Sequence, residues 1–145
     1  MSGYITFRMG ARELAAPLEQ VREVVRAVGV EPLVGVRAPV TGLLQLRGDP
    51  LPVVDLRSLP EEGDEGDVLV LVGDDDGPLG LAVDKVVEVT AADSLVEDDA
   101  PRPLGLPSYV LDVRRAADDG RPVFLVHLRA LAGVASLAPP APTRA

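Results

Sequence analysis

Residues 40–57 read VTGLLQLRGDPLPVVDLR, two apolar runs (40–46 and 51–56) on either side of Arg47-Gly48-Asp49-Pro50. Four linker residues rich in Gly and Pro between two strand-like runs predict a β-hairpin with Arg47 at its end. The same punctuation recurs along the chain. Runs at 4–9 and 14–18 flank Gly10-Ala11-Arg12-Glu13, and further short runs fall at 68–72, 79–83, 86–90, 110–113 and 123–126. Fourteen Gly and fourteen Pro argue against long helices. Short strands at such spacing point to small barrels rather than to a sheet layered with helices. A chain of 145 residues suits one compact domain, or two very small ones sharing a core. With 47% apolar but only 3% aromatic residues, that core must be built from Val, Leu, Ala and Ile. Residues 21–28 are ambiguous by spacing: Val21, Val24, Val25 and Val28 fit a helical face, yet four valines in eight residues favour a strand. Residues 31–39 read as a connection, 58–67 as a polar loop, 127–133 as a terminal helical turn, and 137–145 as a Pro-rich disordered tail.

A net charge of −9 is poorly suited to phosphate backbones and argues against nucleic acid as a partner. Arg supplies all but one of the basic residues, a bias that fits compositional drift better than anion recognition. Acidic residues crowd into 61–67, 74–76 and 97–99, which read as solvated loops that keep the protein soluble. Without cysteine there is no disulfide framework and no thiolate metal site. The opening MSGYITFRMG lacks a basic region followed by a long apolar run, and no stretch approaches the roughly 18 apolar residues of a membrane span. The expected location is cytoplasmic, with no insertion into a membrane.

Catalytic readings fare badly. The single histidine, His127, would need a serine partner, but none of Ser2, Ser58, Ser94, Ser108 or Ser136 sits in a Gly-x-Ser-x-Gly turn. A surface histidine acting as a local cap is the better reading. Asp74-Asp75-Asp76-Gly77 invites a calcium loop, but the twelfth position from Asp74 is Lys85, where a glutamate is needed. Gly73, Gly77 and Gly80 make no phosphate cradle, since no Gly-Lys-Ser/Thr follows and three aspartates repel a nucleotide. Arg47-Gly48-Asp49 matches an adhesion tripeptide by coincidence, Asp49 occupying a turn position. Asp55 and Asp84 each end an apolar strand; the expectation is that they accept local backbone hydrogen bonds and fix turns rather than form an acid–base pair. Arg47 stands apart, because a guanidinium at the end of a rigid hairpin can meet a partner carboxylate bidentately, and arginine is enriched among interface hot spots.

The central segment resembles the CheW family, the coupling proteins of bacterial chemotaxis. The family's Gly-apolar-x-x-Leu-Arg-Gly stretch is matched by Gly42, Leu46, Arg47 and Gly48, and its apolar-Pro-apolar-apolar-Asp-Leu-Arg strand by Leu51, Pro52, Val53, Val54, Asp55, Leu56 and Arg57. A second match runs through Gly80-Leu81-Ala82-Val83-Asp84-Lys85-Val86-Val87-Glu88-Val89, and Pro17-Leu18 matches the family's opening hairpin. Asp49-Pro50 departs from the family, which has a residue followed by Val or Ile there, and His127 stands where Asp is usual. The resemblance spans residues 4–134. It implies an all-β fold of two packed five-stranded SH3-like barrels with a short C-terminal helical turn, over residues 1–136, and it resolves residues 21–28 as a strand. It further implies a non-catalytic adaptor, without cofactor or metal, that couples chemoreceptors (methyl-accepting chemotaxis proteins) to a CheA-type histidine kinase at receptor arrays. On that basis Leu46, Arg47, Val86, Val87 and Val89 are expected to line a groove for the receptor's cytoplasmic tip. Glu23, Val24 and Val25 are expected to form a separate face for the kinase's regulatory domain. The alternatives are the same scaffold in pilus motility or developmental signalling, a small carboxylate hydrolase if Asp55 and Asp84 share a cleft, and a small-ligand sensor if a deep pocket exists.

Overall fold

The structure, a computed structural model, describes residues 3–32, 41–57, 65–73, 77–97 and 105–137, with the backbone alone at 134–137. Among the described residues, twelve strands form two six-stranded sheets. The first takes strands from both halves of the sequence: β1 (Tyr4–Met9), β2 (Arg12–Pro17), β9 (Lys85–Thr90), β10 (Leu95–Glu97), β11 (Val110–Ala116) and β12 (Pro122–Val126), in the order β10-β11-β12-β2-β1-β9. The second is one contiguous stretch of sequence: β3 (Val21–Arg26), β4 (Glu31–Pro32), β5 (Gly42–Leu46), β6 (Asp49–Asp55), β7 (Asp67–Leu71) and β8 (Gly80–Val83), in the order β3-β7-β8-β6-β5-β4. Most pairings are antiparallel, but β12 runs parallel to β2 and β6 parallel to β8.

Why the strands read as continuous apolar runs becomes plain from what each face covers. Every residue of β7 and β8 is buried. Leu69, Leu71, Leu81 and Val83 point into a core shared by the two sheets, where they meet Ile5, Phe7, Leu14 and Ala16. Their neighbours Val68, Val70 and Ala82 point the other way, into a core of the second sheet's own with Leu44, Leu51 and Val53. The first sheet repeats the arrangement, with Tyr4, Ala15, Leu95, Val123 and Leu125 filling its private core. A strand covered on both faces has no polar side to alternate with. Truncating one of these fully buried leucines to alanine would cost about 2–5 kcal/mol.

Two short strands, β4 and β10, escape a reading by periodicity, because two or three residues carry no measurable alternation. They raise each unit from the expected five strands to six. The central hairpin is also tighter than its sequence predicts. Leu46 pairs directly with Asp49, so Asp49 and Pro50 belong to β6 and the loop is Arg47-Gly48 alone. Both loop residues have positive φ, 50° at Arg47 and 87° at Gly48. That is the requirement of the two-residue turn whose twist suits a hairpin.

The terminal helix α1 (Leu128–Leu137) is longer than the expected turn at 127–133. Leu128, Leu131 and Ala132 recur at helical spacing and enter the shared core, which carries the helix past Gly133. Its first turn is capped from two sides: Leu128 N–H donates to Gln20 Oε1 (2.9 Å) and Ala130 N–H to His127 Nδ1 (3.2 Å). His127 is thus the exposed local cap that its position at a strand end predicts. The loop at 58–64, the turn at 74–76 and the tail from 138 lie outside the described residues.

Candidate functional site

Arg47 occupies the left-handed region that non-glycine residues rarely enter, at the tip of the β5–β6 hairpin. Its guanidinium donates two hydrogen bonds to Glu23 on β3, Nη1 to Oε1 at 2.9 Å and Nη2 to Oε2 at 2.5 Å. In the hydrogen-bonded order, β7, β8 and β6 separate β3 from β5. Flat, at about 4.8 Å per strand, those edges would stand roughly 19 Å apart, beyond the reach of the two side chains. The pair therefore reports that the second sheet curls on itself and closes toward a barrel. The Arg47 guanidinium holds the Glu23 carboxyl below the usual glutamate range, and Glu23 raises Arg47 in return. Both groups remain in contact with solvent, Arg47 the more so.

The structure thus joins one residue expected to face the receptor with one expected to face the kinase, two sets read from sequence as separate. Around them, Leu46 and Val25 lean on the second sheet's private core. Val24, on the opposite face of β3 from its neighbours, is 39% exposed. The remaining three expected residues lie on β9, an edge strand of the other sheet. Val86 packs on the shared core, whereas Val87 and Val89 are exposed, at 37% and 60%. A register shift between Thr6 and Phe7 in the β1–β9 pairing leaves Val87 without a direct partner. So the expected residues form two clusters, one on each sheet.

What joins the clusters is Asp67, a residue the sequence reading consigned to a polar loop. It is only 8% exposed, and it accepts hydrogen bonds from Arg26 Nη1 on β3 (3.0 Å) and from the backbone N–H of Val86 on β9 (2.8 Å). The available signal was its place directly before the apolar run 68–72, where a carboxylate cannot easily stay in water. Arg121 was missed for another reason, its partner being far away in sequence. It donates to both oxygens of Glu13, at 3.0 and 3.2 Å, and to Asp118 and Asp119 in its own hairpin. The Glu13 side chain is 7% exposed, so this is an ion pair set into the first sheet.

Asp55 accepts the local backbone hydrogen bond that its sequence position predicts, whereas the bond Asp84 accepts comes from Gly10, far away in sequence. Asp55 accepts from Arg57 N–H, Nε and Nη2 at 2.8–2.9 Å, and Arg57 also donates to Glu65 O (2.8 Å). Burial works to raise the Asp55 carboxyl, but these bonds from Arg57 outweigh it and leave it lowered. Asp84 Oδ2 accepts from Gly10 N–H at 2.6 Å, which ties the β1–β2 turn to the link between β8 and β9. Asp84 lies near enough to work, weakly, to raise the Asp55 carboxyl, but the cavity that Asp55 lines with Thr41 and Arg57 is not lined by Asp84. A cavity of about 300 Å³ lies between Arg12, Leu14, Tyr109 and Phe124, with Arg12 stacked 5.4 Å from the Phe124 ring. That is the lower limit of pockets that take small ligands, and its lining is largely apolar, Arg12 and Tyr109 being the residues with polar side chains.

The two sheets pack through a shared core, with a solvent-facing ion pair on one and an exposed valine edge on the other. Residues 3–136 match the family model of the CheW-like domain, and the chain belongs to that family. No curated protein matches it. Among solved structures it is similar to the scaffolding protein TtCheW from Thermoanaerobacter tengcongensis, at 20% sequence identity and a TM-score of 0.64, over 88% of this chain and 90% of that one. At that identity the likeness shows a common fold.

Proposed function

We propose that this chain is a non-catalytic adaptor of the cytoplasm that holds the tip of a chemoreceptor and the regulatory domain of a CheA-type histidine kinase together. The observation that carries the reading is the Arg47–Glu23 pair. A bidentate ion pair between exposed groups contributes little to folding, yet here it sits on a strained two-residue turn. The turn itself accounts for the backbone at Arg47; what the fold does not call for is a solvent-facing guanidinium held at its tip, able to exchange Glu23 for a partner's carboxylate. Family membership and the scaffold role in the name of the TtCheW structure support the same direction.

In this reading a receptor's helical tip lays its apolar face along Leu46, Val86, Val87 and Val89, and Arg47 turns from Glu23 to a receptor carboxylate and sets the register. Val24 supplies exposed apolar contact to the kinase domain, Val25 backs it from the inner face of β3, and Glu23 lies on the border of both surfaces. Adaptor and receptor together shift the kinase between states of different activity, provided they bind those states unequally.

Calorimetry with a receptor-tip fragment and with the kinase regulatory domain tests the assignment. Arg47→Ala should weaken receptor binding about 10- to 30-fold, since the receptor carboxylate is then left unpaired. Arg47→Lys keeps the charge without the fork and should recover little of that loss. Kinase binding should persist in both, because Val24 and Val25 are untouched. Unchanged receptor-dependent kinase activation in both variants would reject Arg47 as a contact.

A further inference from the structure

We propose that Asp67 is a positioning residue that locks the kinase-facing strand β3 to the receptor-facing strand β9, so that occupancy of one face is felt at the other. The inference rests on the functional assignment of those two faces given above, and adds the link between them.

The chain passes from the second sheet to the first through a single residue, Asp84, between the end of β8 and the start of β9. The shared core and the Gly10 N–H bond to Asp84 already hold the two sheets at this corner, and Asp67 adds a tie between two particular strands. Asp67 stands against that corner, paired in register with Val83 on one side and with Arg26 on the other. One carboxylate oxygen takes the Arg26 guanidinium and the other takes the Val86 N–H. Its two arms therefore end beside Val25 on β3 and at Val86 itself on β9.

The preceding residue strengthens the brace. Gly66 has φ of +81°, and a Cβ placed there would lie 2.3 Å from Val83 O and 3.3 Å from Asp84 O. The backbone at 66 is thus pressed onto the crossing, with no room for a side chain. At the same point Gly66 O accepts from Ala27 N–H (3.1 Å), which follows directly on β3. Two adjacent residues hold the end of β3 and the crossing together, one by backbone and one by carboxylate. A carboxylate this buried is costly to strip of either donor, so displacing β3 must either drag β9 or break a charge-assisted contact.

A simpler role is open to Asp67: it could cap the Val86 N–H and do nothing more. Amide hydrogen exchange on the free chain separates the two. As a cap, only Asp67→Ala exposes Val86. As a lock, Arg26→Ala must also speed Val86 exchange, by about tenfold, because the carboxylate has lost its second anchor. Slow exchange at Val86 in Arg26→Ala, with melting temperature matched to the parent, would overturn the lock without reference to any partner.

The second measurement is the affinity of a receptor-tip fragment for the chain alone and for the chain saturated with the kinase regulatory domain. The parent chain should show a ratio of about fivefold or more, at the lower end of ordinary coupling between sites. In Asp67→Asn, which keeps the shape but sets an NH2 against one of the two donors, Arg26 or the Val86 N–H, the ratio should fall to within twofold of one. Each separate affinity should move by less than about threefold. A ratio near one in the parent chain, or a full ratio in Asp67→Asn, would overturn the proposal. If the parent chain bound neither partner, the assignment of the faces would fall and transmission with it, whatever the exchange data showed.

Discussion

Each sheet carries a bidentate Arg–Glu pair, and the two behave as different kinds of object. In the first sheet Arg121 clasps Glu13, whose side chain is almost wholly buried, and the same guanidinium reaches two aspartates of its own hairpin. In the second, Arg47 clasps Glu23 at the surface, from a turn with unfavourable backbone geometry. Geometry alone would rank them equal. Burial separates them: a carboxylate removed from water depends on its partner, whereas one in contact with water can exchange its partner for another. The first pair is thus part of the fold and the second is free to be a contact.

The strongest way to break this contrast is Arg121→Ala. It leaves Glu13 buried with its charge unmatched and should destabilise the chain by about 2–3 kcal/mol in denaturant unfolding, less than for a fully enclosed pair because Arg121 is itself part-exposed. Adding Glu13→Gln should restore part of that loss; a stability equal to the parent's in the single variant would erase the distinction. Next in size is a charge reversal on the other sheet. With Glu23→Arg and Arg47→Glu together, the ion pair can re-form and the melting temperature should stay within a degree or two of the parent's, about what a neutral surface change produces. Receptor-tip binding should nevertheless remain weakened, since the cation has left the hairpin. Recovery of binding in the reversed pair would mean that the pair itself, not Arg47, is recognised.

The smallest effect is titration. Because Arg47 lowers Glu23 in the folded chain, the pair's contribution is in place above the unfolded glutamate pKa of about 4.3 and is lost as pH falls through the lower folded value. The pair should stay closed from pH 5 to 8, with Glu23 carbon shifts in NMR moving at lower pH than those of an unpaired glutamate. A midpoint above the usual glutamate range would contradict the geometry.

Much of the architecture was legible because the physics is local. Within the runs at 4–9, 68–72 and 79–83, residues 4–7, 68–71 and 80–83 are strand positions buried on both faces. Asp55 and Arg57, two residues apart, form the turn lock expected of a strand-end carboxylate. What was not legible depends on closure of the chain over distance. Glu23 meets Arg47 only because the sheet curls, and Glu13 meets Arg121 only because β12 returns beside β2. Asp67 was hidden by its neighbours, an acidic run that ends where a buried strand begins. Local spacing gives the strands; the candidate site belongs to how they are folded back on one another.

The parallel pairing of β12 with β2, Phe124 on Leu14 and Leu125 on Ala15, also sets an order of events during synthesis. The second sheet is encoded in one uninterrupted stretch and can form as soon as Val83 has emerged. The β1–β2 hairpin is made first of all, yet its partner strand is nearly the last. Until β12 arrives, Ile5, Phe7 and Leu14 have only one side of their core, and a hairpin with an open edge can pair with another nascent chain. A conditional slowing of translation after residue 83 should therefore lower soluble yield more than one before residue 20, and refolding from denaturant should be limited by this distant closure.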